Sequence, residues 1–444
     1  MKKVLFIAYY FPPVGGGGVQ RSSKFVKYLP EFGWRPLVLT VREPYDFHSD
    51  GGLLKDIPPD TAIYRSFSIE PMKWVRKLIY LFWSKKVSEG GGKAKGSAKP
   101  NLKRKFLVNL KNTLLFPDNE ILWLPFAVWK GWQIIRQEKP EAIYSTASPF
   151  TDHLIAMILS RFTGLPWVAD FRDFWVDRPN FPDLRWRRFI DRVLEGIAVR
   201  RVSHLVTVSH YIGQRYAELY PGTKYTIIPN GYDEADFIAI DEEESQDSKK
   251  FLILYSGIMN KERNPRLFFQ ALRELIDEDP EFADAVWFRF IGAMDEPGEF
   301  DNIRLFESLG LDRYGEVWPY RPHEEVLRQM RRATVLFLLI GHYPHCEAVL
   351  TGKIFEYLRS RRPILAVVPP TGAAAQVIRE TGSGVVADHQ NKNSIKAALK
   401  QLFAEFRQNQ LEKKYLSQNI DRFERRNLSA QLAKVLSEIS GDAV

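Results

Sequence analysis

The feature that most constrains this chain is a rhythm: short apolar runs alternate with longer amphipathic stretches along most of its length. KVLFIAY (3–9) is followed by VQRSSKFVKYLPEF (19–32) and then by RPLVLTV (35–41). An unbroken apolar run predicts a strand covered on both faces, and a helix between two such strands predicts a parallel crossover. The pattern continues through EAIYST (141–146), PFTDHLIAMILSRFTG (149–164), LPWVADF (165–171) and SHLVTVS (203–209), where Ser209 is placed to cap the next helix. TKYTIIPNGYDEADF (223–237) and the acidic EEESQDSKK (242–250) separate this half from a fresh start. There FLILYSG (251–257), a helix over 264–277, AVWFRFIG (285–292), GEVWPYR (315–321), a helix over 323–332 and TVLFLLI (334–340) repeat the pattern. GKIFEYLRS (352–360), RPILAVVP (362–369), GAAAQVIRE (372–380) and SGVVAD (383–388) complete it. The sequence predicts an α/β protein of two doubly wound units, 1–225 and 226–420, with a C-terminal helical segment, 421–444. Ligands of such sheets bind at the carboxyl ends of the strands, and with two units the cleft between them is the expected site.

Composition narrows the partners. The chain has 444 residues, one cysteine and a formal net charge of +9, with eleven tryptophans. A single cysteine excludes an internal disulfide framework and fits a reducing compartment, so a cytoplasmic location is expected. The basic balance points to a polyanionic partner. Residues 69–86 (IEPMKWVRKLIYLFWSKK) and 185–201 (RWRRFIDRVLEGIAVRR) interleave Lys and Arg with Trp, Phe, Leu and Ile. Each can be written as a helix with one apolar and one cationic face, the pattern of a helix lying in a membrane interface; a core-packing helix with a solvated basic face is the alternative. Trp74, Tyr80, Phe82 and Trp83 favour membrane contact for the first. It begins a basic insertion, about 69–116, that contains the polar, Gly-rich SEGGGKAKGSAKP (88–100), read as a flexible loop.

Several chemistries can be set aside, and one constellation stands out. No GxSxG elbow and no GxxxxGK[ST] loop occurs. His342, His345 and Cys346 lie together in GHYPHCEA, followed by Glu347, but their spacing matches no standard zinc cluster. No metal site is expected there, and a loop lining a ligand pocket is the reading adopted. FPPVGGGG (11–18) follows the first strand without meeting the GxGxxG pattern, because position 20 is Gln. Its glycines bare backbone N–H groups where a helix begins, which suits a diphosphate or polar ligand. In LTGKIFEYLRSRRPILAV (350–367), Gly352 opens a helix with Lys353 in its first turn and Glu356 at i+3. A cation at a helix start is unfavourable unless an anion sits there. A diphosphate would justify Lys353, and Glu356 could take the hydroxyls of a ribose, through charged hydrogen bonds worth roughly 1.5–3 kcal/mol each. An ordinary surface pair is the alternative.

PNGYD (229–233), the YSG restart with its N-K-E-R-N-P segment (255–265), GKIFEYLRSRRPIL and the opening FIAYYFPPVGGGGVQR together resemble the family 4 glycosyltransferases. The resemblance runs from residue 3 to the C-terminal helices. It implies a GT-B architecture: two Rossmann-like domains facing across a cleft, with a C-terminal helix (423–436) crossing back to the first. It also implies configuration-retaining transfer from a nucleotide-diphosphate sugar to a glycan or lipid-linked acceptor, in cell-surface polysaccharide or glycolipid synthesis. Carried over by position, Lys261, Arg263 and Lys353 would face the donor diphosphate, and Glu356 the ribose. Tyr320 and Arg321 would lie near the base, while Gly16, Gly17 and Gly352 would bring backbone amides close. The family's first glutamate would fall at Ala348, with Glu347 one place off, and an arginine usual after the glycine of the restart is Ile258. A histidine usual at the end of a first-domain strand is replaced in VADFRDFW by Asp170, Arg172 and Asp173. These three, with His153 on the preceding helix, are the candidates for acceptor binding or base work; a salt-bridge cluster and a core histidine are the alternatives. No cofactor is required beyond the donor, an anionic membrane surface is an expected partner, peripheral to the inner face, and nucleic acid is not. A nucleotide-sugar 2-epimerase on the same scaffold, or a non-catalytic basic membrane-binding protein, are the other functions compatible with the chain.

Overall fold

The computed structural model describes residues 1–43, 51–69, 115–179, 181–182, 184–241, 250–260, 263–295 and 302–441. The basic stretch from 70 to 86 and the Gly-rich segment 88–100, together with Lys261, lie outside the described residues. Two compact units emerge: Met1–Thr207 with Ile212–Ile227 and Ser429–Val444, and Val208–Tyr211 with Ile228–Leu428.

Unit 1 is a seven-stranded sheet in the order β3-β2-β1-β4-β5-β6-β7. Its strands are β1 (Lys2–Ile7), β2 (Trp34–Val41), β3 (Ala62–Ser66), β4 (Ala142–Ala147), β5 (Trp167–Phe171), β6 (His204–Thr207) and β7 (Tyr225–Ile227). All pairings are parallel, with Ile7 opposite Leu39 on one side of β1 and Ser145 on the other. Helices α1 (Gly17–Tyr28), α2 (Leu124–Glu138), α3 (Thr151–Thr163), α4 (Arg185–Arg201) and α5 (His210–Leu219) supply crossovers. Central strands β1, β4 and β5 bury every apolar position, as a sheet covered on both faces requires. The edge strands β3 and β7 are mostly half-buried, and this explains why neither stands out in the sequence as an apolar run. The last helix (Arg425–Ile439) contributes its C-terminal part to this unit, where Trp34 Nε1 donates to Ser437 Oγ at 3.2 Å.

Unit 2 is a six-stranded parallel sheet in the order β10-β9-β8-β11-β12-β13. The strands are β8 (Phe251–Ile258), β9 (Val286–Ala293), β10 (Gly315–Trp318), β11 (Val335–Leu339), β12 (Ile364–Val368) and β13 (Gly384–Asp388). Alternate side chains of β11 enter different cores: Val335, Phe337 and Leu339 pack with Phe251, Ile253 and Tyr255, whereas Leu336 and Leu338 pack with Leu254 and Ile364. Period-two alternation into two apolar cores reads in the sequence as one continuous apolar run. Ser209, expected as a helix cap, donates its hydroxyl to the Ala348 carbonyl at 3.0 Å within this unit.

One ion pair ties α1 of unit 1 to its sheet. Arg21, one turn into α1, donates from Nε and Nη2 to the two Asp170 oxygens at 2.8 and 3.0 Å, with both side chains fully buried. Tyr144 Oη and Thr146 Oγ1 on β4 also donate to Asp170, at 2.7 and 3.1 Å. Burial pushes the Asp170 carboxyl up, but the Arg21 charge and hydrogen bonds, with Arg172 and Tyr144, outweigh it and hold it below its usual value. Removing one partner strands the other charge in the core. Arg21→Met should therefore destabilise the protein by about 3–5 kcal/mol, and Arg21→Met combined with Asp170→Leu by clearly less. Urea denaturation of the two variants beside the wild type measures the difference; equal losses would mean that the pair is not the source.

Candidate functional site

In unit 2 the groups singled out by the sequence come together at the carboxyl end of β8. The strand ends Tyr255-Ser256-Gly257-Ile258, with Gly257 at φ +127°. That backbone suits glycine, and a Cβ there would lie 2.6 Å from Lys353 Nζ. Lys353 starts a short helix (Lys353–Arg359, α6), capped by Gly352, and its side chain crosses to the strand end. Its Nζ donates to the Ser256 carbonyl and sits 4.3 Å from the centre of the Tyr255 ring. Burial, helped by the neighbouring Arg263 charge and opposed by Glu356, pushes the Lys353 amine down to about 7. Glu356, one turn along, has its Oε1 2.8 Å from His323 Nε2. Burial raises the Glu356 carboxyl, but His323, Arg425 and Lys353 outweigh it and leave it lowered. Lys353, Arg263 and Glu356 thus form one electrostatic cluster, to which the structure adds His323 and Tyr255.

The remaining residues named for this half are more dispersed. Tyr320 is 70% exposed, and Arg321 packs its guanidinium over the Trp318 ring, 5.3 Å from the centroid. Glu347 lies in the one-turn segment Cys346–Ala348, and its backbone approaches Gly372 closely.

Unit 1 holds an open cavity of about 130 Å³ above the carboxyl ends of β1 and β4. Its wall includes Tyr9, Gly15, Gly16, Ser148, Asp152 and Arg172. Gly16 is the N-terminal cap of α1 with φ +125°, so the glycine run turns directly into the helix at the cavity rim. Gly17 is the first residue of that helix. Arg172 donates to the carbonyls of Ala147 and Ser148, which fixes its guanidinium over the loop after β4.

Two of the four residues proposed for acceptor or base work are sealed in the core. Asp170 has its oxygens taken by Arg21, Tyr144 and Thr146, and no wall of the cavity includes it. His153 is fully buried, with Nδ1 2.8 Å from Ser145 Oγ and its ring 4.3 Å from that of Phe171. Burial pushes its imidazole down to about 3, which keeps it neutral and unsuited to proton transfer near neutral pH. The salt-bridge and core-histidine alternatives are thus the ones these two follow. Asp173 is exposed, and Arg172 alone of the four lines the cavity.

The residue missed in the sequence is Asp152, immediately before His153. Its Oδ2 accepts from the Tyr9 backbone N–H at 2.9 Å, while its buried Oδ1 makes no hydrogen bond. Consecutive helical residues are rotated by about 100° around the axis, so when His153 turns to the sheet Asp152 turns to the strand ends. Burial, with the Asp118 and Glu120 charges, pushes its carboxyl well above the usual range despite the Tyr9 N–H and Arg172. A carboxyl raised by folding costs stability as pH rises from the unfolded value through the folded one. Asp152→Asn, which keeps an acceptor for Tyr9, should be at least as stable as the wild type near pH 4 and increasingly more stable toward pH 7. Thermal melts across that range check the sign; a deficit that grows with pH would contradict it.

The sequence of residues 91–236 matches the family model described as Glycosyltransferase Family 4, and 236–419 the model described as Glycosyl transferases group 1. No curated protein matches by sequence. Among solved structures, sucrose-phosphate synthase from Thermosynechococcus elongatus is similar over 99% of both chains, with TM-score 0.66 and 11% identity. A glycosyltransferase from Rickettsia africae is similar over 100% of this chain and 99% of its own, with TM-score 0.64 and 13% identity. Anabaena HepE, solved in complex with UDP-glucose, is similar over 99% of this chain and 100% of its own, with TM-score 0.63 and 14% identity. At such identities the structures speak for the fold, and the two adjoining sequence matches for the family. With two parallel sheets of seven and six strands and both models matched in succession, the chain belongs to the family 4-like glycosyltransferases of GT-B fold.

Proposed function

We propose that the protein is a retaining transferase that takes a sugar from a nucleotide-diphosphate donor and hands it to a glycan or lipid-linked acceptor, in cell-surface polysaccharide or glycolipid synthesis. The observation that carries the donor reading is the half-buried Lys353, packed on Tyr255 beside Arg263 and one turn from Glu356. An amine pushed down to about 7 by burial and a like charge gains most from an incoming anion. Lys353 and Arg263 would meet the charge that grows on the diphosphate as the glycosidic bond breaks, and Lys261 joins them by the family resemblance. Glu356, oriented by His323 through Oε1, would offer Oε2 to the ribose hydroxyls. Tyr320 and Arg321 would lie beside the base, and Gly352 would let the donor approach the backbone. The comparison structure bound to UDP-glucose supports the nucleotide-sugar class without naming the donor for this chain. In unit 1, Arg172 and Asp152, with the backbone of Gly16 and Gly17, would receive the acceptor and the sugar under transfer. Retention follows the resemblance, and the anomeric configuration of the product by NMR tests it.

Lys353 makes the donor reading measurable. Binding of an anion raises its pKa, so above pH ~7 donor binding takes up a proton. Affinity for a nucleotide-diphosphate sugar should fall as pH rises from about 7 to 9, by up to about tenfold per pH unit, and Lys353→Arg should flatten that dependence. Glu356→Ala should weaken binding by about tenfold or more. Calorimetric titration with a panel of nucleotide sugars reads all three effects. A protein stabilised by no nucleoside diphosphate or its sugar contradicts the proposal.

A membrane-borne acceptor is supported by α4. Trp186, Phe189, Val193 and Ile197 are all exposed, Phe189 at 71%, and their spacing of three, four and four puts them on one helix face. Exposed Arg185, Arg188, Arg200 and Arg201 flank that stripe. An apolar face rimmed by arginine suits the boundary of an anionic bilayer at its cytoplasmic side. Among the described residues no helix is long and apolar enough to cross a membrane. Replacing Trp186 and Phe189 by Ser should reduce co-sedimentation with anionic vesicles by about tenfold or more without a loss of thermal stability. Unchanged binding would remove α4 from the membrane contact.

A further inference from the structure

The loop after β11, read from the sequence as lining a ligand pocket, carries side chains to which the donor proposal assigns no role. His342 and Cys346 belong to this loop, and His389 follows directly after β13. One ligating atom from each, two imidazole nitrogens and the Cys346 sulfur, lies within 4.8 Å of the others. The His342 and His389 ring centroids are 5.7 Å apart. His345, which stands nearer to Cys346 in sequence, is exposed and outside the trio.

A second observation separates this cluster from an incidental gathering of polar groups. The His389 side chain is only 4% exposed, yet neither ring nitrogen makes a hydrogen bond of good geometry. Its polar neighbours are Asp388 Oδ1 at 3.4 Å from Nδ1 and the Val368 carbonyl. Burying an imidazole without a well-formed hydrogen bond to its nitrogens is costly, and a metal ion removes that cost. Cys346 is buried as well, whereas His342 is exposed and gives an ion a path from solvent.

We propose that His342, Cys346 and His389 form a zinc site that fastens the loop bearing Glu347 to the end of β13. One thiolate and two imidazoles are a donor set that favours zinc, and three protein ligands leave a fourth position for water. Binding exchanges the thiol proton of Cys346 for the metal, and that proton passes to solvent; no redox change is involved. The ion would join two loops that the parallel fold brings to the same end of the sheet. It is independent of the Lys353 cluster, so either reading can fail without the other.

Full-length protein stripped with a chelator and titrated with Co²⁺ should bind one equivalent and show the near-ultraviolet band of a cobalt thiolate. Cys346→Ser should abolish the band. Zn²⁺ affinity, read by competition with a chromophoric chelator, should fall about tenfold or more in His342→Ala and in His389→Ala and stay unchanged in His345→Ala. Zn²⁺ should also raise the melting temperature of the wild type and not that of His342→Ala. Because His342 is exposed, its variant decides the matter even where a buried substitution prevents folding. Absence of a thiolate band, or Zn²⁺ affinity unaltered in His342→Ala, would overturn the site, and so would an equal loss in His345→Ala.

Discussion

A parallel strand cannot return through a tight turn, and everything functional in this protein follows from that restriction. Each strand must be followed by a crossover, and the crossover must leave from the strand's carboxyl end. Glycine-rich, charged and metal-ligating residues far apart in sequence are therefore delivered to the same edge of a sheet. In unit 1 that edge gathers Gly16, Ser148, Asp152 and Arg172 around a cavity. In unit 2 it gathers Ser256, Lys353 and Glu356 near the end of β8, and His342, Cys346 and His389 beyond β11 and β13. Because the strands are covered on both faces, their side chains are committed to packing, and the chemistry is left to the loops.

Buried charge is handled in two ways. Arg21 and Asp170 neutralise each other completely, with Tyr144 and Thr146 filling the remaining acceptor positions. Such a pair fixes the orientation of α1 and offers nothing to a ligand. Lys353 is half-buried without a comparable ion pair: it meets a carbonyl and an aromatic ring, and the charges of Arg263 and Glu356 act on it from nearby. The first arrangement is satisfied in the free protein, and the second would be completed by the anionic donor proposed for it. Burial alone does not distinguish them; what matters is whether the compensating charge belongs to the chain.

The legibility of the site divides along the same line. Lys353 and Glu356 could be found because both lie on one short helix, where an i,i+3 spacing already implies a shared face. The alternation of apolar runs revealed the central strands, since a run buried on both faces needs no partner to be recognised. Edge strands β3 and β7 escaped because half-buried strands are not uniformly apolar. Asp170 was expected to face a ligand because charge at a strand's end usually does, and His153 because its helix starts beside that end. Their true environment depends on Arg21, 149 positions away from Asp170, and on the rotation of α3 about its axis. The same rotation presents Asp152 to the cavity. His389 could not be connected with Cys346, because two strands and two helices separate them along the chain.

By itself, then, the sequence determined the class of fold, its division into two sheets and the placing of Lys353 and Glu356 on one helix face. These are local properties, set by hydrophobic period and by spacing within a helix. Only the tertiary structure decided which of two adjacent residues meets solvent, which carboxylate is spent on an internal arginine, and which histidine joins the cysteine. Those outcomes depend on contacts between residues dozens of positions or more apart, and such contacts exist only once the crossovers have brought the strand ends together.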